Sequence, residues 1–203
     1  MMFESSSGTL KIIASPMKKK KESMIESILV DSSRAVADMA NSVIAADSAL
    51  FEEAWELMMR DEYPLSMRAA RVVDESAEKH PALIKPFLDE TIRKLTEFRI
   101  VGIRRGMLRF LSRTKLHLTP VQRGYLIDTC FGWMNSSEEA IAIRYYSMEI
   151  LFRISRKEPG IRNELLAALE EGLEKDIYGY PKKPLQYIKT LSREIRKGEW
   201  ESR

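Results

Sequence analysis

The sequence has few of the residues that build disulfides and metal sites. It contains one cysteine, Cys130, and two histidines, His80 and His117, among 203 residues. One cysteine excludes an intramolecular disulfide, and three such residues spread along the chain favour no Cys/His metal centre. No metal and no cofactor are therefore expected. Cys130 falls in a helical segment, where a single thiol is predicted to be buried and inert.

Long apolar runs are missing as well. No stretch approaches the roughly 20 apolar residues that a helix needs to cross a bilayer. Near the N-terminus, Ile12 and Ile13 are followed within a few residues by Pro16 and four lysines, so the apolar part of a secretory leader is absent. These features predict a cytoplasmic protein.

Catalytic signatures are also absent. The sequence contains no glycine-rich phosphate loop, no paired-histidine helix motif and no nucleophile elbow. Its acidic pairs, such as Glu52 with Glu53 and Glu138 with Glu139, are sequence neighbours, so the two side chains of a pair point in different directions on a helix. The chain is therefore expected not to be an enzyme.

Positive charge is concentrated at one end of the chain. Residues 1–25 contain five lysines and two glutamates, which accounts for the whole net charge of +3 and leaves the remainder neutral. A dedicated duplex-DNA binder normally carries a basic face on its folded body, so this balance disfavours that class. Residues 1–21 are predicted to be a flexible basic tail, because the run of lysines at 18–21 cannot pack a core.

What the chain does contain is a long internal repeat. Pro81, Pro120 and Pro159 are spaced 39 residues apart, and each opens a segment with the apolar pattern of a helix. Because proline is favoured at the first helical position, these residues predict three helix starts. The apolar columns shared by the three segments are Phe87, Leu126 and Leu165; Leu88, Ile127 and Leu166; and Leu95, Met134 and Leu173.

Each of these segments follows another helical segment, so the repeat unit is a pair of helices. First helices are expected near residues 64–80, 100–112 and 137–156, and second helices follow the prolines. A final helix at about 183–198 is expected to cap the array, with Leu185, Ile188, Leu191 and Ile195 on its apolar face. The prediction is an all-α, right-handed α-α superhelix over residues 22–198, with about ten helices in roughly five antiparallel pairs.

Two stretches carry a family resemblance. Residues 64–73, Pro-Leu-Ser-Met-Arg-Ala-Ala-Arg-Val-Val, are similar to the first-helix signature of HEAT repeats. Residues 138–151 resemble a second copy, although Tyr145 and Tyr146 stand where paired small residues are usual. The chain resembles small bacterial HEAT-like proteins and, less closely, the armadillo-type superhelical family that includes alkylpurine DNA glycosylases. The resemblance implies a binding scaffold for proteins or nucleic acids more often than an enzyme.

In such a solenoid the second helices are expected to line the concave side. The candidate binding residues on these helices are Lys85, Asp89, Arg93, Arg123, Asp128, Trp133, Asn163 and Glu171. Their mixed charges suit a peptide of mixed charge. The simpler interpretation is a solvated face with Lys85–Asp89 and Asp89–Arg93 pairs, each worth about 0.2–0.5 kcal/mol. Trp55 is expected in the core and Trp133 at the rim of the groove.

Three functions are consistent with these features. The leading one is a non-enzymatic scaffold or adaptor that holds a protein or peptide along the concave face, since stacked repeats build an extended surface. The alternative is a DNA-binding or base-excision protein related to the helical-repeat glycosylases. The candidates for its basic stripe, aromatic residue and carboxylate are Arg93, Arg123, Arg162, Trp133 and Asp128. The third is an adaptor that the lysine tail attracts to an anionic surface.

Overall fold

A computed structural model describes residues 23–180 and 182–198 of the chain. The tail expected at residues 1–21 lies outside this part. Within it the chain forms ten α-helices, three short 3-10 turns and no β-strand. The α-helices are α1 (Met24–Ile28), α2 (Arg34–Ala46), α3 (Ala49–Met59), α4 (Leu65–Lys79), α5 (Leu88–Arg93), α6 (Val101–Arg113), α7 (Pro120–Met134), α8 (Ile141–Ile154), α9 (Arg162–Glu174) and α10 (Lys182–Lys197). The 3-10 turns are Lys85–Phe87, Lys94–Thr96 and Pro159–Ile161.

The helices alternate between two layers. The first helices α2, α4, α6, α8 and α10 pack side by side in one layer, and the second helices α1, α3, α5, α7 and α9 form the other. Helices that follow one another in the chain also pack across the two layers, most extensively α3 on α4 and α7 on α8. This arrangement is the helical solenoid that the repeat period predicts.

Only one of the three repeat prolines begins an α-helix. Pro120 is the first residue of α7 and follows Thr119, whose side chain takes part in a capping box. Pro81 lies in a turn well before α5, so the helix start expected there is wrong. Pro159 begins a 3-10 turn that leads directly into α9, so the helical segment starts at this proline and its α-helical part starts at Arg162. Pro86 explains the first case, because its ring and its missing N–H oppose an α-helix through that stretch.

The capping helix forms where it was expected, and most of its predicted apolar face is buried. Leu191 is fully buried and Ile188 and Ile195 pack against the core, but Leu185 is 53% exposed, and Tyr187 is buried beside this face. The Tyr187 ring stacks on Phe152 of α8 with 3.8 Å between the ring centroids. An aromatic contact therefore attaches the last helix to the first-helix layer in place of the predicted Leu185.

Two predictions about the core are confirmed. Trp55 is buried, its ring stacks on Phe87 at 4.7 Å, and its indole N–H donates to Thr91 Oγ1 at 2.9 Å. Cys130 is fully buried, and burial raises the pKa of its thiol to about 12. The cysteine therefore acts as a packing residue of α7.

Candidate binding groove

An open groove of about 690 Å³ crosses the layer of first helices. Residues of α2, α4, α6, α8 and the loop between α1 and α2 line it, and we call it the first-helix groove. Its charged lining residues are Asp31, Arg34, Arg68, Arg71, Asp74, Glu75, Arg105 and Arg109. Because four successive first helices contribute to the lining, a ligand that lies in the groove contacts most of the repeats at once.

Two glycines allow the arginine-bearing face of α6 to approach α4. Gly102 and Gly106 lie one turn apart on the face that also carries Arg105 and Arg109. A Cβ atom at Gly102 would lie 3.1 Å from a methionine side chain of α4, whereas one at Gly106 would lie 3.8 Å from Asp74 Oδ2. Gly102 therefore permits close helix packing, and Gly106 leaves space above the Asp74 carboxylate.

Two arginines of α4 hold the loop between α1 and α2 against the groove. Arg68 Nη1 donates to the carbonyl oxygens of Leu29 and Val30 at 2.9 and 2.7 Å. Arg71 Nη1 donates to a carbonyl of the same loop at 3.2 Å, and its Nε pairs with Glu75 at 3.0 Å. Among the described residues, no carboxylate forms an ion pair with Arg68, although Asp31 is close enough to interact with it electrostatically.

Asp74 and Arg109 form a buried ion pair in the wall between α4 and α6. Arg109 Nε donates to Asp74 Oδ2 at 2.8 Å, and Arg109 Nη2 donates to the same oxygen. Asp74 is 2% exposed, and its other oxygen, Oδ1, has no hydrogen-bond partner in the described part of the chain. Burial raises the pKa of the Asp74 carboxyl to about 6, although the Arg109 hydrogen bond acts in the opposite direction. Desolvation therefore outweighs the arginine at this site.

Arg105 has no ion pair within residues 23–180 and 182–198. It is exposed and lies one turn before Arg109 on the same face of α6. Five arginines and three carboxylates line the groove, and a fourth carboxylate, Asp38, pairs with Arg34 at 3.4 Å, which leaves an excess of one positive charge. A basic surface thus exists on a body whose total charge is close to zero.

The eight residues predicted for the concave face lie elsewhere. They are placed on α5, α7, α9 and the 3-10 turn before α5, in the second-helix layer. The exposed ones are Lys85, Asp89, Arg93, Asp128, Asn163 and Glu171, and the half-buried ones are Arg123 and Trp133. None of the eight lines the first-helix groove, so their role in binding stays a prediction.

The structure brings together only part of that set. Arg93 Nε pairs with Asp89 at 2.7 Å, which confirms one of the two expected ion pairs, and Arg93 Nη1 donates to Tyr125 Oη at 2.8 Å. Lys85 has no ion pair among the described residues, so the expected Lys85–Asp89 pair is wrong. The reason is local: Lys85 begins a 3-10 turn, in which side chains four residues apart do not align as they do on an α-helix.

Other predicted residues have separate partners. Arg123 Nε pairs with Glu158 at 2.6 Å, and Trp133 lies 5.5 Å from the guanidinium carbon of Arg104. Arg162, expected in a DNA-binding stripe, is 7% exposed and donates to a backbone carbonyl at 3.0 Å. It is not accessible to a nucleic acid, and the expected stripe loses one of its three arginines.

The groove does have a signature in the sequence. Residues 101–106 read Val-Gly-Ile-Arg-Arg-Gly, and a further arginine follows at position 109. Spacings of three and four residues place these glycines and arginines on one helix face. On such a face the backbone is accessible and the positive charge is dense. The sequence analysis assigned binding to the second helices, so this face of α6 was not predicted as a binding site.

Other kinds of site are not evident in the described residues. They contain no group of three or more His, Cys, Asp or Glu side chains that could hold a metal ion. In the same residues, no helix has both the length and the apolar character needed to cross a membrane.

Residues 23–181 match a family model described as a HEAT repeat domain. This match covers most of the chain and runs from α1 to the loop before α10. No curated protein and no solved structure matches the chain. The repeat period, the two layers of helices and the family match agree, and the chain belongs to the HEAT repeat domain family.

Proposed function

We propose that this protein is a non-enzymatic scaffold that holds a segment of a partner protein in the first-helix groove. The observation that carries the proposal is a basic groove lined by four successive first helices. Repeat proteins use surfaces that extend across their repeats to bind partners. The scaffold role matches the expectation from the sequence, but the binding surface moves from the second helices to the first.

The character of the groove supports a chain segment over a small molecule. Small-molecule sites are mostly apolar pockets in which a few polar groups converge. Here the charged groups are spread along the groove, with Arg68 and Arg71 on α4 and with Arg105 and Arg109 on α6. A ligand that meets them all must extend over more than one repeat.

The buried carboxylate in the groove wall also supports a non-enzymatic role. A carboxyl group with a raised pKa is a common feature of active sites, so Asp74 has to be considered as a general base. One of its oxygens is bonded to Arg109, and its side chain is 2% exposed. A general base must reach the proton that it removes. Asp74 is better explained as the partner that positions Arg109.

Capture from native lysate tests the proposal, with a charge reversal in each layer. The tagged chain is expected to retain a partner protein, Arg105→Glu is expected to lose it, and Lys85→Glu is expected to retain it. Both residues are exposed, so both variants are expected to melt like the original chain. Loss in Lys85→Glu with retention in Arg105→Glu would place the partner on the second helices. Capture of no partner by any form would contradict a scaffold role.

DNA binding is the second candidate, and the excess positive charge of the groove favours it. Arg68 and Arg105 form no ion pair with a carboxylate among the described residues, and cations of this kind contact phosphates. Tyr146 lines the same groove, so an aromatic ring and basic residues do occur together, although not where they were expected. A mobility shift of duplex DNA at about 50 mM salt that Arg105→Glu abolishes would support this candidate. Absence of a shift would exclude it.

A further inference from the structure

A row of exposed apolar side chains borders the first-helix groove. Each first helix carries one such side chain at its first residue or in the loop just before it. The row consists of Val30, Tyr63, Val101, Ile141 and Tyr180, which are between 43% and 73% exposed. Because every first helix contributes one member, this apolar row is a property of the repeat array.

The apolar row and the groove are parts of one surface. Three members of the row are followed in sequence by residues that line the groove: Val30 by Asp31, Val101 by Gly102 and Ile141 by Ala142. In addition, Arg68 of the groove donates to the backbone carbonyl of Val30 at 2.7 Å. A ligand lying in the groove therefore meets the apolar row along its edge.

Contacts between loops hold neighbouring members of the row in place. Asp61 Oδ1 accepts from the Ile100 N–H at 3.1 Å, which ties the loop of Tyr63 to the start of α6. Ile141 lies against the loop that precedes α10, where a Cβ at Gly179 would be 3.4 Å from its Cδ1 atom. These contacts hold the loops that carry the apolar row in defined positions.

We infer that the partner segment is an acidic stretch in the polyproline II conformation, with an apolar side chain at about every third position. The inference rests on the proposed function and specifies its ligand. Charge complementarity sets the acidic character, since five arginines and three carboxylates line the groove. The first helices also direct their N-terminal ends towards this edge, and their dipoles add positive potential there.

The repeat geometry sets the spacing of the apolar side chains. Neighbouring helices in a layer pack about 8–10 Å apart, and a polyproline II chain rises about 3.1 Å per residue with three residues per turn, so every third side chain points the same way. One repeat therefore corresponds to about three residues of the ligand, and the five positions of the row correspond to about 12 residues. Apolar side chains of the ligand cover the row, and the acidic residues between them face the arginines.

The composition of the row favours a peptide over a nucleic acid. Single-stranded nucleic acids bind surfaces on which aromatic rings stack with the bases. Three of the five members, Val30, Val101 and Ile141, are aliphatic and offer no such platform. An aliphatic row beside a basic groove matches a chain that has both apolar and acidic side chains.

Selection from a displayed library of random peptides of about 12 residues, the length that spans the row, tests this inference on the full-length chain. The original chain is compared with the double variant Tyr63→Ser/Ile141→Ser and with Val121→Ser. Val121 is a matched control because it is 57% exposed but lies on α7, in the other layer. We expect the original chain and Val121→Ser to enrich acidic peptides with apolar residues at every third position. The double variant is expected to bind the best of them about tenfold or more weakly, since two of the five row positions are lost.

Several results would overturn the inference. They are enrichment of basic peptides, enrichment of acidic peptides without apolar spacing, and equal binding by the double variant. Displacement of the selected peptide by a single-stranded oligonucleotide, at a lower concentration than the unlabelled peptide requires, would assign the groove to nucleic acid. If no acidic-apolar peptide is selected while lysate capture still depends on Arg105, this inference fails and the scaffold proposal stands. If capture fails as well, both fail.

Discussion

The ring of Tyr178 lies directly against Gly172 of α9, with no room for a Cβ atom between them. The Tyr178 hydroxyl donates to Asn135 Oδ1 at 2.7 Å, and Asn135 Nδ2 donates to the Ala168 carbonyl at 2.9 Å. This cluster joins the loop after α9 to the C-terminal end of α7. It fixes the segment from which Tyr180, the last member of the apolar row, extends.

Replacing Gly172 with alanine is therefore expected to destabilise the fold. The added methyl group forces the Tyr178 ring away from its site, at a cost of about 1–3 kcal/mol in the free energy of unfolding. The matched control is Gly132→Ala on α7, where nothing lies within 4 Å of the new Cβ. It should stabilise the chain by roughly 0.5–1 kcal/mol, because alanine is the better helix former. Urea denaturation measures both, and a stabilising Gly172→Ala would contradict the packing.

The Asp74 carboxyl is expected to make stability fall as pH rises. Its pKa is raised from 3.8 to about 6 by burial, so the folded chain holds this proton more tightly than the unfolded chain. The contribution of the group to the free energy of unfolding is therefore highest below pH 3.8 and decreases until the pH passes about 6. The full decrease is about 3 kcal/mol.

Asp74→Asn isolates this effect, because an amide of similar shape does not titrate. Denaturation curves of both chains between about pH 4 and pH 6 give the difference in their free energies of unfolding. We expect the original chain to lose stability relative to the variant across this range. A constant difference, or one that grows in favour of the original chain, would show that Asp74 is not desolvated as described.

Arg153 is expected to stabilise the C-terminal end of α6. Its Nη1 atom donates to the carbonyls of Leu111 and Ser112, and its Nη2 donates to that of Thr114 at 2.7 Å. Arg153→Met leaves these carbonyls unpaired and should cost on the order of 2–3 kcal/mol. Arg196→Met, in the exposed last turn of α10, is the control and should change the melting temperature little. Equal effects would rule out the capping role.

Truncation of a core side chain tests which face of the second helices packs into the core. Leu165 is fully buried on α9, so Leu165→Ala is expected to cost about 2–5 kcal/mol. Lys85→Ala, on an exposed side chain, should be nearly neutral. A mild effect at Leu165 in thermal melting would show that the helix faces are assigned wrongly.

Much of the fold could be predicted from the sequence, because a repeat places the same burial pattern in every unit. Leu126 and Leu165 share a column and are both fully buried. Phe87, in the same column, is only partly buried, because Pro86 moves the start of α5 to a later residue. Phe87 differs from the other two residues because of the neighbouring proline, and the repeat period gives no information about such a local effect.

The arginines near the starts of three first helices, Arg68, Arg104 and Arg144, are spaced 36 and 40 residues apart, so they do not decide the register of these helices. Ala69 and Ala70 of α4 are fully buried, and in α8 the corresponding buried pair is Ser147 and Met148. The two pairs are separated by two repeat periods of 39 residues, which is the spacing of the prolines. In this alignment Tyr145 and Tyr146 do not occupy the positions of the paired small residues. Tyr146 lines the groove instead. An apparent irregularity of the repeat is thus part of the candidate site.

The candidate site itself was harder to predict than the fold. Whether an arginine is free to bind a ligand depends on its neighbours in other repeats, and these are far away in sequence. Arg109 is paired with Asp74, which lies 35 residues earlier, whereas Arg105, four residues before Arg109, has no ion pair among the described residues. Sequence columns show which residues are polar, but they do not show which cations are already neutralised.

Photo-crosslinking from two single positions tests the central claim most directly. A benzoylphenylalanine at position 146 replaces an aromatic residue that lines the first-helix groove and leaves every arginine in place, and one at position 163 lies exposed on α9 in the other layer. In native lysate, position 146 is expected to give a discrete adduct with a partner protein, which an excess of the acidic-apolar peptide suppresses, and position 163 is expected to give none. An adduct at position 163 with none at position 146 would contradict the account and place the binding surface on the second helices.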